Sequence, residues 1–314
     1  MNPSYATLLK TALRNGTKKG WSGFLWMIKI VVPVSFLTTL LAWSGWLNKI
    51  EFIIQPVMGV LSLPAQAALP LLIGILTGIY GGIAAMVVLP FSAGEMTLMA
   101  VFLLMAHNMI QEGIVQGKSG IHPVKATLFR LSAATLTVII VAPWLAVPSP
   151  SSITAAPLTF VRTPLFDMLL QWLDVALGLC LKIFVIIMIL LTFLEIMKIF
   201  NWIVPIVRFM SPLLKIMGLD RNVGFLWMTA ILFGLTYGGA VIVEEAKERG
   251  LSKKDLEMLH LSVGINHSLI EDPPLFIVLG LNAFWLYIPR LITAILTVHL
   301  IRLWQEFAKR YINR

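Results

Sequence analysis

Apolar residues run along this chain in eight long stretches. Four come first, at about 22–47, 67–90, 97–113 and 126–147, and four follow at about 169–197, 223–243, 256–271 and 283–305. A run of roughly 20 apolar residues is what a helix needs to cross a hydrocarbon core of about 30 Å. A shorter amphipathic segment, 48–64 or 200–219, lies between the first two stretches of each set, and the polar linker Pro148-Ser-Pro-Ser-Ser-Ile-Thr154 separates the sets. The pattern predicts helices throughout, in two halves of matching layout.

The halves also match residue by residue. Laying 107–138 on 267–298 without a gap gives nine identities, among them His107 on His267, Ile110 on Ile270, Gly120 on Gly280 and Arg130-Leu131 on Arg290-Leu291. Gln111-Glu112 falls on Glu271-Asp272, and Leu136-Thr-Val on Leu296-Thr-Val. Upstream, Gly78-Ile-Tyr80-Gly-Gly82 corresponds to Leu235-Thr-Tyr237-Gly-Gly239, and Pro56 to Pro212. Apolar segments share Leu and Val by accident; coincident His, Arg and acid-on-acid positions point to an internal duplication.

Composition settles the class. The chain has 314 residues, 58% apolar and 12% charged, with a mean hydropathy of +0.89. A soluble domain carries roughly 25% charged residues, so a soluble enzyme, a nucleic-acid-binding domain and a disordered chain are excluded. The net charge of +9 comes mostly from loop lysines and arginines, which orient the protein by the positive-inside rule rather than attract nucleic acid. Lys10, Arg14, Lys18 and Lys19 precede an apolar run too long for a cleavable signal, so the first span is expected to be retained. The lone Cys180 excludes an internal disulfide and reads as a small buried residue.

Charge also suggests how the halves are oriented. Both ends are basic, so both are expected in the cytoplasm, with an even number of crossings. The amphipathic segment of the first half carries Lys49 with Glu51, whereas its counterpart carries Lys198, Arg208, Lys215 and Arg221 against Asp220. The segment after His107 holds Lys118, Lys125 and Arg130; the one after His267 holds only Arg290. Opposite bias in equivalent loops is what inverted repeats require. The run 244–255 balances four acids with four bases, compatible with the outside. Three crossings per half then leave one stretch that does not cross. The third is expected to be re-entrant or broken, because each third stretch is interrupted, by Ala106-His-Asn-Met-Ile-Gln-Glu-Gly113 and by Ile265-Asn-His-Ser-Leu-Ile-Glu-Asp-Pro-Pro274.

Those two breaks hold the candidate chemistry: His107, Asn108, Gln111 and Glu112 opposite His267, Ser268, Glu271 and Asp272, with Asn266 alongside. Ionisable groups at membrane depth cost several kcal/mol unless they pair or line water, so two clusters at equivalent positions imply one shared polar site. Loop residues at the interface or ordinary helix caps are the plain alternative. Tyr80, Gly81 and Gly82, with Tyr237, Gly238 and Gly239, are the second candidate set: consecutive glycines let a helix backbone meet a solute, or simply another helix. Lys29 and Lys198 are expected to snorkel, and Lys182 and Glu195 stand too far apart on one helix to pair. Arg130 and Arg290 read as interface anchors, and His122, His260 and His299 as structural. No H-E-x-x-H, G-x-S-x-G or Walker A motif is present, and the expectation is that the protein is not an enzyme and uses no cofactor or resident metal.

The duplicated unit, with Tyr-Gly-Gly in one span and then a polar break such as Asn266-His-Ser-Leu-Ile-Glu-Asp272, resembles the Gate or nucleoside-recognition family of membrane proteins. That family includes the membrane part of ferrous-iron transporter B, the spore maturation proteins A and B, and relatives of concentrative nucleoside transporters. The resemblance covers about 22–147 and 169–305. It implies an all-α polytopic membrane protein of two inverted-topology repeats, with broken or re-entrant helices at the midplane and the site at the two breaks. The expected layout is a cytoplasmic segment 1–21, a first repeat 22–147, an extracytoplasmic linker 148–168, a second repeat 169–305 and a cytoplasmic tail 306–314. The leading reading is a secondary transporter in a prokaryotic inner (plasma) membrane, moving a small polar solute, nucleoside-like or carboxylated, by alternating access. A coupling proton or cation is left open. The alternatives are a divalent metal-ion permease and a non-transporting membrane subunit. The lipid bilayer is the expected partner, with a homo-oligomer or a partner membrane subunit left open and nucleic acid excluded.

Overall fold

The computed structural model describes residues 5–145, 163–202 and 251–312, and between them 205–206, 209, 211–217, 219, 223–224, 226–228, 230–231 and 234. Among these residues the chain is helical, without strands. Two long helices, α1 (Tyr5–Trp43) and α8 (Leu165–Ile199), pack side by side along their length. They run antiparallel: Tyr5 stacks on Phe200, Lys19 pairs with Glu195, Phe24 meets Phe184, Ser35 accepts from Trp172, and Trp43 donates to Thr163. Small residues allow the close approach, since Gly16 faces the Thr192 backbone and Gly20 faces Met188. With 39 residues, α1 is about 58 Å long, so its basic first turns extend beyond a hydrocarbon core of about 30 Å.

After α2 (Trp46–Val60) the chain bends by 82° into a short 3-10 turn and α3 (Ala68–Thr77). It then folds back on itself. Gly78, at φ +99°, ends α3 and starts α4 (Ile79–Met86), and a Cβ placed on Gly74 would lie 3.4 Å from Gly82 Cα. Residues eight apart in a continuous helix are about 12 Å apart, so α3–α4 is a tight hairpin. Leu103 packs into it, against Gly74 and Gly82.

The third stretch was expected to be re-entrant or broken and not to cross. It is a helix broken at His107-Asn108, where α5 (Ala93–Ala106) continues as α6 (Met109–Lys118), but Ala93–Lys118 is long and apolar enough to cross. The chain reverses instead in the second stretch, where Gly78 at φ +99° joins α3 to α4. By length and composition five helices among the described residues can cross a membrane, Tyr5–Trp43, Ala93–Lys118, Pro123–Trp144, Leu165–Ile199 and Ala283–Phe307, and the bent pair Glu51–Val60 with Ala65–Thr77 would make a sixth if it counts as one span.

In the second half lie α9 (Ser211–Ile216), α10 (Lys253–Asn266), the short α11 (Pro273–Ile277) and α12 (Ala283–Ile312), while α7 (Pro123–Val141) closes the first half. The same local devices occur at matched positions. Ser92 and Glu95 form a capping box at the start of α5, as Ser252 and Asp255 do for α10. Both helices end on an extended histidine, His107 or His267, followed by a residue at positive φ, Asn108 (+49°) or Ser268 (+52°). Gly120 and Gly280 carry the next reversal. The halves interlock, α5 on α12 and α7 on α10, and Thr137 and Thr293 share a hydrogen bond of 2.8 Å.

Lys125 pairs with Glu257 and Gly120 packs on Leu256, so the start of α10 lies beside 118–125, whereas the run 244–255 was read as compatible with the outside; residues 244–250 lie outside the described residues. Outward faces of α1, α8 and α12 carry exposed Leu37, Leu177, Leu181, Ile189, Leu296 and Leu300, the surface a bilayer would cover.

Candidate functional site

The two interruptions meet in the interior. At each one the preceding helix stops and its last carbonyls lose the amides of the next turn. In the first half Arg130 takes their place: Nε donates to Met105 O at 3.0 Å and Nη2 to His107 O at 3.3 Å. In the second, Arg290 Nη2 donates to His267 O at 2.7 Å. Both arginines are buried, at 1% and 0% exposure, so they are not interface anchors. The guanidinium offers five donors, which is what a broken helix end in an apolar surrounding needs. Arg130 reaches its place across Gly264, where a Cβ would meet its stem at 2.8 Å.

Arg130 Nη1 also pairs with Glu112 Oε2 at 2.5 Å. The other oxygen, Oε1, faces His107 Nε2 at 3.4 Å and His267 Nε2 at 3.3 Å. Asp272 Oδ2 stands 3.6 Å from His107 Nε2, and the two imidazole centroids are 5.0 Å apart. Backbone turns repeat too: the Glu112 amide donates to Asn108 O at 3.0 Å and the Asp272 amide to Ser268 O at 3.1 Å. The expected joining of His107 and Glu112 with His267 and Asp272 is thus present. Asn266 is buried with neither amide atom hydrogen-bonded among the described residues, and Asp272 Oδ2, His267 Nε2 and Arg290 Nη1 likewise make no hydrogen bond there.

Beside this cluster is a cavity of about 330 Å³. His107, Asn108, Gln111, Glu112, Ser268, Glu271 and Asp272 line it, together with Tyr80. Asn108 donates to Gln111 Oε1 at 3.2 Å. The hairpin tip contributes Thr77, Gly78 and Ile79, and Gly234, at φ +72°, stands against Ser268 as Gly78 stands against Asn108. His267 and Asn266 are buried and are not among the lining residues. Gly81 and Gly82 are buried in the hairpin and serve packing, not the cavity wall. Tyr237, Gly238 and Gly239 lie outside the described residues.

Sequence reading missed the far wall. Lys19 and Trp26 of α1 and Leu191, Leu194, Glu195 and Lys198 of α8 complete the cavity, with Lys19 Nζ 2.5 Å from Glu195 Oε1 and Lys198 Nζ at 3.7 Å. Lys19 and Glu195 are 176 residues apart, and nothing in one dimension links them. Arg130 and Arg290 did carry a signal: each follows its histidine by 23 residues. Of the remaining histidines, His260 is buried with Nε2 3.1 Å from Ser119 O, and His299 Nε2 contacts Ile216 O at 2.9 Å, both structural as expected.

Fold and surface together define an all-helical membrane protein with a polar cavity in its interior. The chain is similar to a protein of Bacillus subtilis (strain 168) described as the uncharacterized membrane protein YvoD, at 28% identity over 291 residues, which cover 89% of this chain and 90% of that one. The chain matches no protein-family model and no solved structure.

Proposed function

We propose that the protein is a secondary transporter, not an enzyme, that moves a small polar solute, nucleoside-like or carboxylated, through this cavity by alternating access. The observation that carries the reading is the meeting of both polar breaks at one cavity, in helices whose outer faces are apolar. Polar groups at membrane depth are tolerated around a solute or water path and are otherwise costly. The cavity mixes amide, hydroxyl and carboxylate groups with the rings of Tyr80 and Trp26, a lining suited to a planar polar solute.

Inverted halves, as in the Gate-like arrangement, account for the rest. In this reading α1, α5–α6 and α7 cross in the first half and α8, α10–α11 and α12 in the second, while the hairpin α3–α4 enters and leaves on one side. The antiparallel α1–α8 pair supports the inversion. The side holding the N-terminus, 118–125, 251–257 and the end of α12 carries Lys10, Arg14, Lys18, Lys19, Lys118, Lys125, Lys253, Lys254 and Arg302. Among the described residues the opposite side carries Lys49, so the first side is cytoplasmic by the positive-inside rule. The cavity mouth at Lys19 and Lys198 then opens to the cytoplasm.

The test is uptake into proteoliposomes from a panel of nucleosides and small organic acids. The reading expects saturable uptake of one class, reduced at least about tenfold by Glu271→Gln, since a charge-assisted bond to solute contributes about 1.5–3 kcal/mol. Absence of uptake across the panel, with no solute raising the thermal unfolding temperature, favours the subunit reading instead.

A further inference from the structure

His107, His267 and Glu112 point their ligand atoms at one another. His107 Nδ1 lies 2.8 Å from Leu103 O and His267 Nδ1 3.1 Å from Gly264 O. A carbonyl only accepts, so each Nδ1 carries a ring proton, and in the neutral ring Nε2 then presents a bare lone pair. Both lone pairs converge on Glu112 Oε1, itself an acceptor, at 3.4 and 3.3 Å. These separations are longer than a hydrogen bond of about 2.7–3.2 Å. They agree instead with the edges of a tetrahedron around a metal: ligand bonds of about 2.0–2.1 Å set ligand atoms about 3.3–3.4 Å apart.

Three further observations point the same way. The ligand atoms of the three residues all lie within 4.8 Å of one another. His267 Nε2, on a residue only 1% exposed, has no hydrogen-bond partner among the described residues. The surrounding groups also hold the ligands in place, since backbone carbonyls on Nδ1 fix the tautomer and ring orientation that metal-binding histidines use. Arg130 engages Glu112 Oε2 and so leaves Oε1 turned to the histidines.

We propose that His107, His267 and Glu112 bind a divalent first-row transition-metal ion. Two imidazoles and a carboxylate suit zinc and its neighbours better than magnesium or calcium, which prefer all-oxygen shells. The ligands come from both breaks, so the ion joins the end of α5 and the start of α6 to the end of α10. Three protein ligands leave a fourth position for water or a solute group from the cavity, which His107 and Glu112 line. The assignment rests on the reading of the cavity as a binding site at membrane depth, and adds an ion that the site holds whether or not a solute is moved.

The experiment is equilibrium dialysis of the full-length, tag-free, chelator-treated protein in detergent against Zn2+, with Co2+ as a spectroscopic probe. The expected result is one saturable ion per chain and the strong visible absorption of four-coordinate Co2+. His267→Ala and Glu112→Gln are each expected to weaken binding by about 100-fold, as loss of a ligand exceeds the effect of losing an outer-shell partner, while His122→Ala, at an exposed histidine before α7 and away from the cavity, leaves it unchanged. Variants are compared only where size exclusion shows a single monodisperse species, and either ligand variant alone decides. No saturable binding by the wild type, or wild-type affinity in a folded ligand variant, overturns the proposal. The transport reading fails separately, in the uptake assay, which does not report on metal binding.

Discussion

Arg130 stands at the junction of three needs: two carbonyls freed by the end of α5 and a carboxylate at the core. Removing it leaves Glu112 buried and unpaired, a change that costs about 3–5 kcal/mol. Arg130→Ala should therefore lower the thermal unfolding temperature strongly, and adding Glu112→Gln should recover part of the loss, because the two residues act as one unit. Arg130→Lys should fall between, keeping a charge without the planar fork. A wild-type melting temperature for Arg130→Ala would contradict this role. The sequence displayed the pairing of Arg130 with Arg290 and of His107 with His267. It did not display their depth, because an arginine at a membrane interface and one closing a broken helix leave the same trace in an apolar run. Lys19 and Glu195 were illegible for a simpler reason: only the packing of α1 on α8 brings them together.

The hairpin α3–α4 depends on the absence of side chains. A Cβ on Gly82 would lie 2.6 Å from Leu103 Cδ1 and 3.3 Å from Gly74 Cα. Gly82→Val should thus cost about 1–3 kcal/mol by overpacking, and Leu103→Ala in that background should relieve part of it, as read by thermal unfolding. If Gly82→Val melts with the wild type, the hairpin does not pack as described. Hydrophobic patterning revealed an apolar stretch here but not its reversal, since a hairpin of two short helices and one crossing helix have similar length and composition. The Tyr80-Gly-Gly82 motif marked the place; the left-handed Gly78 that turns the chain is one residue type among 22 glycines. By contrast, the breaks at His107 and His267 were legible, because polar and ionisable residues inside an apolar run have few inexpensive explanations.

At the scale of the whole molecule, the account joins an internal duplication, an antiparallel pair α1–α8 and one polar cavity between two broken helices. The matching of the halves, which the structure repeats in the capping box and the positive-φ residue after each histidine, was visible in residues such as His267, Arg290 and Leu296-Thr-Val. How the halves interlock was not, since α5 against α12 and α7 against α10 follow from three-dimensional packing alone. The central claim is that the cavity is reached from each side of the membrane in turn. Gln111 lines the cavity and is exposed there, whereas Leu170 on α8 faces outward. The direct measurement is modification of Gln111→Cys by a membrane-impermeant thiol reagent in a Cys180→Ser background, in right-side-out and in inverted vesicles, with Leu170→Cys as the lipid-facing control. The account predicts that position 111 reacts from both faces while position 170 reacts from neither. Reaction of position 111 from one face only would contradict alternating access and leave the protein as a membrane subunit with a one-sided cavity.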